Sequence, residues 1–145
     1  MYVDGAARHN PGPAGAGICL LKGNEIFIKR GFFLGVCTNN QAEYLALVIG
    51  LIIGLPEVGN EHLRIISDSQ LLINQINGVY RVKNPELKIL HNLVELLLDK
   101  KSYDAIHVLR THNQIADKMA NLGIDEKIEI PIVIKKKLHN HGIEI

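Results

Sequence analysis

Apolar and small residues begin at once and come in short blocks through the first third of the chain. Tyr2-Val3-Asp4-Gly5 is an extended start. The breaker cluster Asn10-Pro11-Gly12-Pro13 separates it from residues 14–21, a stretch rich in Gly and apolar side chains that predicts a strand. Gly23-Asn24 is a hairpin turn signal. Residues 25–36 resume with Ile26, Phe27 and Ile28, then Phe32, Phe33 and Leu34, and predict a third strand. Three strands joined by short turns are expected to pair as antiparallel neighbours.

The pattern then changes to helical. Thr38-Asn39-Asn40 supplies helix-start residues, and Glu43 lies three positions after Asn40, close to a capping box, so a helix is expected over about 40–54. Its second half is apolar on all sides, which points to an interior helix, with an oligomer contact as the weaker explanation. Residues 63–67 predict a strand, and Ser67 with Gln70 matches another helix start. A helix over 70–77, a break at Gly78, a helix over 85–100, a strand over 105–109 and a helix over 113–122 follow. Strands separated by helices imply right-handed crossovers into parallel positions, so the sheet is mixed and the class α/β. From Glu126 the run Lys127-Ile128-Glu129-Ile130-Pro131-Ile132-Val133-Ile134 and three lysines predict an appendage over 126–145 to a domain over 1–125. It would be either an edge strand tolerating Pro131 or a loose tail.

With 145 residues, 47% of them hydrophobic and 21% charged, the chain has room for one ordinary core and the side chains to fill it, which excludes a largely disordered protein. The longest uncharged apolar run, 45–55, is shorter than the roughly 18–20 residues of a bilayer span and is interrupted by Gly50 and Gly54, so no membrane contact is expected. The first residues lack the basic stretch and apolar region of a secretory signal and the Arg- and Ser-rich character of a transit peptide, which makes a cytoplasmic location the expectation. Cys19 and Cys37 are too few for a disulfide framework and have no close Cys or His neighbours for zinc; they read as buried reduced thiols. A net charge of +1 does not mark a nucleic-acid binder, but clustered acids cancel basic residues placed elsewhere, so position matters more than the sum.

Four acids stand at the ends of predicted elements or early in helices: Asp4, Glu43, Asp68 and Asp117. Singly, each has an ordinary explanation, as a turn residue, a cap partner, a helix N-terminal acid and a surface acid respectively. Their contexts alter that reading. Tyr2-Val3-Asp4-Gly5, Thr38-Asn39-Asn40-Gln41-Ala42-Glu43, Ile65-Ile66-Ser67-Asp68-Ser69 and Asn113-Gln114-Ile115-Ala116-Asp117 occur in one order at sensible spacings, and on them the sequence resembles type 1 ribonuclease H. The resemblance covers about residues 1–124 and extends to Asn10-Pro11-Gly12, to Asp68-Ser69-Gln70 and to Ala116-Asp117-Lys118-Met119-Ala120.

The resemblance implies a ribonuclease H-like fold, a five-stranded mixed sheet of three antiparallel and then two parallel strands flanked by helices. It also implies that Asp4, Glu43, Asp68 and Asp117 meet at one edge of that sheet as catalytic residues and metal ligands. Carboxylates so close repel one another and stay partly protonated unless divalent cations neutralise them. Oxygen-only ligands favour Mg²⁺ or Mn²⁺ over zinc. Two such ions about 4 Å apart activate the attacking water and stabilise the leaving 3′ oxygen of a phosphodiester. The implied reaction is hydrolysis of the RNA strand of an RNA/DNA hybrid to 5′-phosphate and 3′-hydroxyl ends.

Choosing the RNA strand requires a reader of the 2′-hydroxyl. Asn10, Asn39, Asn40 and Gln70 match family positions that contact the hybrid in its minor groove, and Thr38 matches one associated with a phosphate contact; capping and turn formation are the ordinary roles of the same residues. Arg8, Arg81, Lys83 and Lys88, with Lys135, Lys136 and Lys137, are candidates for phosphate-backbone contacts. The sequence departs from some members in having only a short segment over 78–85 and no Trp where they carry a basic, Trp-containing helix, and it shows no separate N-terminal hybrid-binding domain. Arg110-Thr111-His112-Asn113 is also too short for the His-bearing loop of many members, which leaves His112, Arg110 or no residue in that role. The alternatives are a same-fold nuclease acting also on double-stranded RNA and a non-catalytic nucleic-acid-binding module; the presence of all four acids disfavours the second. A monomer is expected.

Overall fold

A computed structural model of the chain describes residues 1–145. Strands β1 (Tyr2–Ala7), β2 (Gly12–Lys22) and β3 (Glu25–Cys37) form an antiparallel meander, with a two-residue turn at Gly23 and Asn24. Strands β4 (Leu63–Ser67) and β5 (Tyr103–His107) extend the sheet from β1 in parallel, giving the order β3-β2-β1-β4-β5. The helices are α1 (Asn39–Val58), α2 (Gln70–Ile76), α3 (Pro85–Leu98), α4 (Gln114–Glu126) and α5 (Ile132–Asn140), and a 3-10 turn, Arg110–His112, leads into α4. The mixed sheet of three antiparallel and two parallel strands agrees with the expected architecture.

Alternation along β1 and β2 decides which helix covers which face. Val3 and Ile18 stand opposite each other and pack beneath α1, near Gly50, whereas Asp4 and Gly17 face the other way, toward α4. On that second face the glycines of the meander have a steric purpose. A Cβ at Gly17 would lie 1.9 Å from the Ala116 carbonyl oxygen, at Gly31 2.0 Å from that of Met119, and at Gly15 2.1 Å from that of Ala120. The helix backbone therefore rests directly on the strands, and this contact fixes the depth of Asp117 beside β1. Gly123 looks like a helix breaker in the sequence but meets Phe32 in the same way, so α4 runs on to Glu126 and ends at Lys127 in the left-handed region.

The first face carries the larger core, with α1 between the sheet and α3. Helix α1 continues past Gly54 and through Pro56, and Gly59, at φ 60°, ends it. At 20 residues it is long and apolar enough, by length and composition, to cross a membrane, which the run of residues 45–55 alone does not suggest. Here most of it is enclosed by the sheet and the neighbouring helices. Both cysteines are free and buried.

The segment from Glu126 corrects the expectation of an edge strand or loose tail. Its one backbone hydrogen bond to the sheet is made by Ile128, whose carbonyl accepts the Phe33 N–H at 2.7 Å. Pro131 then occupies the N-cap of α5, where a missing N–H leaves no bond unmade. The apolar alternation at 128, 130, 132 and 134 masks the spacing that prevails: Ile130, Ile134 and Leu138 recur every four residues and, with Ile143, join the main core. Leu138 is fully buried. Leu138→Ala is expected to lower the unfolding free energy by about 2–5 kcal/mol in chemical denaturation, while Lys136→Ala on the exposed face stays within about 0.5 kcal/mol. A Leu138→Ala protein as stable as the unmodified one would mean that α5 contributes nothing to the core.

Candidate active site

Three chain reversals deliver the acids to one place. Asp4 lies within β1, and Asp68 follows the last residue of the adjacent parallel strand β4. There the Ser69 N–H donates to Ser67 Oγ at 3.0 Å, and Ser69 Oγ accepts from the Leu72 N–H at 3.2 Å, so the chain turns from strand into α2 with Asp68 at the corner. This cap is formed by Ser69, one of the two serines flanking Asp68, and not by Ser67 paired with Gln70.

Glu43 is placed by the start of α1. The capping box is made by Thr38 and Gln41: the Gln41 N–H donates to Thr38 Oγ1 at 3.1 Å, and the Thr38 N–H donates to Gln41 Oε1 at 2.9 Å. Glu43 is thereby freed from the capping role that its spacing from Asn40 suggests. It turns to the sheet, where Oε1 accepts the Gly5 N–H. Only glycine permits this approach, since a Cβ at Gly5 would lie 2.2 Å from the Ala42 carbonyl carbon.

The carboxylate oxygens of Asp4, Glu43 and Asp68 lie within 4.8 Å of one another, and Asp117, in the first turn of α4, is near enough to add its charge to that felt by Asp4. All four acids line one open cleft of about 350 Å³ together with Asn39, Asn40, Ser69 and Arg110. Asp4 and Glu43 are buried, at 6% and 8% exposure, while Asp68 and Asp117 are half-buried. Arg110 is the one basic group in the lining, and its Nη2 lies 3.6 Å from Asp117 Oδ1.

Burial and the surrounding Glu43, Asp68 and Asp117 charges push the Asp4 carboxyl up to about 10. Burial and the Asp68 charge push Glu43 up to about 7, against the opposing effect of the Gly5 N–H. The cluster thus holds protons it would release in water, because burial and neighbouring like charge both disfavour ionisation. Its donors are all oxygen, with no His or Cys among them, and three of them converge closely enough to share one ion. These residues fit a hard divalent cation.

The remaining expected site residues divide. Asn39 and Asn40 are exposed and line the cleft. Asn10 and Thr38 stand behind them as supports: Asn10 Oδ1 accepts the Asn39 N–H at 3.0 Å, and Thr38 caps α1. Gln70 is exposed at the start of α2, outside the cleft lining. Arg8 is engaged by Asp125 at 2.6 Å and by Asn121, whereas Arg81, Lys83 and Lys88 are exposed. His112 faces a different pocket, with Tyr2, Cys19 and Leu21, so of the two candidates in this turn Arg110 is the one at the acids. Ser69 reaches the cleft beside Glu43, a placement that its helix-start position in the sequence conceals.

Residues 2–123 match the family model described as Reverse transcriptase-like. Over 127 residues the chain is 37% identical to the Ribonuclease HI of Halobacterium salinarum, a match covering 86% of this chain and 63% of that protein. The chain belongs to the type 1 ribonuclease H family. The likeness to other type 1 ribonucleases H extends to three dimensions. The crystal structure of RNase H1 from Halobacterium salinarum superposes with a TM-score of 0.82 at 35% identity, covering 86% of this chain and 96% of that one. LC11-RNase H1, isolated from compost by a metagenomic approach, superposes in its complex with an RNA/DNA hybrid with a TM-score of 0.81 at 31% identity, covering 86% and 95% respectively.

The retained protons have a consequence for stability. Above about pH 4–5 the unfolded chain has released both protons, whereas the cation-free folded protein keeps that of Glu43 to about pH 7 and that of Asp4 to about pH 10. The folded state binds more protons throughout this window, so stability falls as pH rises through it. In the presence of a chelator, the Tm is expected to drop between pH 5 and pH 9. Mg²⁺ or Mn²⁺ is expected to reduce the drop, with release of protons on binding. Calorimetric scans across this pH range check both, and a Tm independent of pH in chelator would contradict the cluster's electrostatics.

Proposed function

We propose that the protein is a divalent-metal-dependent endonuclease that cuts the RNA strand of RNA/DNA hybrids, leaving 5′-phosphate and 3′-hydroxyl ends. The observation that carries this reading is the convergence of the Asp4, Glu43 and Asp68 carboxylates within 4.8 Å, with Asp117 beside them, in a cleft open to a large substrate. The hybrid held by LC11-RNase H1 supports the choice of substrate class. In this reading Asp4, Glu43, Asp68 and Asp117 hold two Mg²⁺ or Mn²⁺ ions. When bound, these supply an activated water and stabilisation of the leaving oxygen.

The chain's own part is placement and charge. Glu43 is oriented by the Gly5 N–H, so this ligand is aimed by the fold itself. Asn39 and Asn40 project from the α1 start into the cleft, where their amides suit a 2′-hydroxyl and minor-groove acceptors. Asn10 and Thr38 hold that helix start in place, and Gln70 flanks the Asp68 corner. Arg110 counters the negative charge of Asp117 and of a bound phosphate.

Labelled RNA/DNA, RNA/RNA and DNA/DNA duplexes incubated with Mg²⁺ or Mn²⁺ test the substrate directly. Cleavage confined to the RNA strand of the hybrid is expected; cleavage of RNA/RNA would widen the substrate class to double-stranded RNA, and cleavage of none would favour a binding module. Asp68→Asn is expected to reduce turnover by on the order of 10²–10³-fold or more while hybrid binding persists, and a near-normal rate would refute its role. Arg110→Ala is expected to lower kcat, whereas His112→Ala leaves it unchanged, because only the former side chain lines the cleft. Steady-state kinetics on the hybrid separates the two.

A further inference from the structure

Asn113 does something that no other helix-start residue in this chain does. Thr38, Ser69 and Asn84 each turn their side-chain oxygen onto the first N–H groups of their own helix. Asn113 occupies the N-cap of α4 with no side-chain cap bond. Its amide Nδ2 instead donates to the Val3 carbonyl at 2.9 Å, across 110 residues of chain. The residue is 1% exposed, and its Oδ1 has no partner.

The carbonyl it takes is informative. Carbonyls alternate in direction along a strand, and the Met1 carbonyl accepts the Ile66 N–H at 2.8 Å, so the Val3 carbonyl also points toward β4. A continued parallel ladder would fill it with the Asp68 N–H. The pairing of β1 with β4 stops at Tyr2 opposite Ile66, however, and the Asn113 amide occupies that position. Asp68 is thereby released from the sheet to sit at the corner leading into α2. The backbone carbonyl of Asn113 also accepts the Asp117 N–H at 3.1 Å, so the residue that holds Val3 fixes the turn that carries Asp117.

We propose that Asn113 is a positioning residue for the carboxylate cluster, its side-chain amide replacing the next rung between β1 and the end of β4 and so setting the spacing of Asp4, Asp68 and Asp117. This deepens the proposed function and rests on it only where turnover is measured. The docking of α4 itself is secured separately by the contacts at Gly15, Gly17 and Gly31, so loss of the amide leaves the helix on the sheet.

Calorimetric titration of Mg²⁺ or Mn²⁺ into the substrate-free protein reads the cluster whether or not a hybrid is the substrate. Asn113→Ala is expected to weaken cation affinity by about 10-fold or more, the scale seen when groups that orient metal ligands are removed. On the hybrid it is expected to lower kcat while KM stays within about three-fold. Asn113→Ser offers α4 the cap that Asn113 withholds but is too short to reach Val3. It is therefore expected to recover thermal stability lost in Asn113→Ala without recovering affinity. Unchanged affinity in Asn113→Ala, or affinity restored together with stability in Asn113→Ser, would overturn the assignment. If the unmodified protein cleaves no hybrid but affinity still falls in Asn113→Ala, the substrate reading fails and the positioning role is supported.

Discussion

Like charges gathered into one cleft are the constraint on which the rest of this molecule depends. Asp4, Glu43, Asp68 and Asp117 come from a strand, a helix, a strand end and a second helix, and nothing in their mutual interaction favours the meeting. It is enforced by backbone contacts too close to give way. Helix α1 lies against Gly5 and helix α4 lies against Gly15, Gly17 and Gly31, so neither can retreat from the sheet without abandoning its packing. Protein interiors are close-packed and respond to strain by discrete rearrangement more readily than by drift. The repulsion is therefore absorbed in protonation, and Asp4 and Glu43 bind protons more tightly than free carboxyls do.

That arrangement explains which parts of the structure were legible in the sequence. The order of strands and helices follows from local periodicity and turn chemistry, and the four acids follow from motifs in one order. Side-chain direction is what linear spacing does not carry. Asn40 and Glu43 have the spacing of a capping box, yet the box is built one register earlier by Thr38 and Gln41, which leaves Glu43 free for Gly5. Gly54 and Gly123 resemble helix ends, but Gly123 serves a close contact and Gly54 lies inside a helix that the core holds past it. His112 and Arg110 are two residues apart and were indistinguishable by position; the tight turn sends them to different pockets.

The C-terminal segment shows a different limit. Its apolar residues alternate locally and also recur every four positions, so its sequence supports two periods at once. Tertiary burial decided between them, because a helix places Ile134 and Leu138 side by side against the core whereas a strand would add only a partner for the β3 edge. Residues 128 to 143 consequently share one core with α1 and α3, although the family model ends at residue 123.

The near-neutral net charge conceals how unevenly charge is placed. The cleft gathers four acids against one arginine, while Arg81, Lys83, Lys88 and most of the α5 lysines stand exposed elsewhere. A polyanionic substrate approaching such a cleft meets repulsion until cations occupy it, and cations there are held more firmly once phosphate oxygens complete their coordination. Under the proposed function the affinities for cation and hybrid must therefore rise together, since coupling between two bound species is reciprocal. On the same proposal the exposed basic residues would supply attraction at a distance, which salt screens, and the buried acids a requirement for metal at close range, which salt screens far less, so strength of binding and commitment to cleavage would be governed by different parts of the same surface.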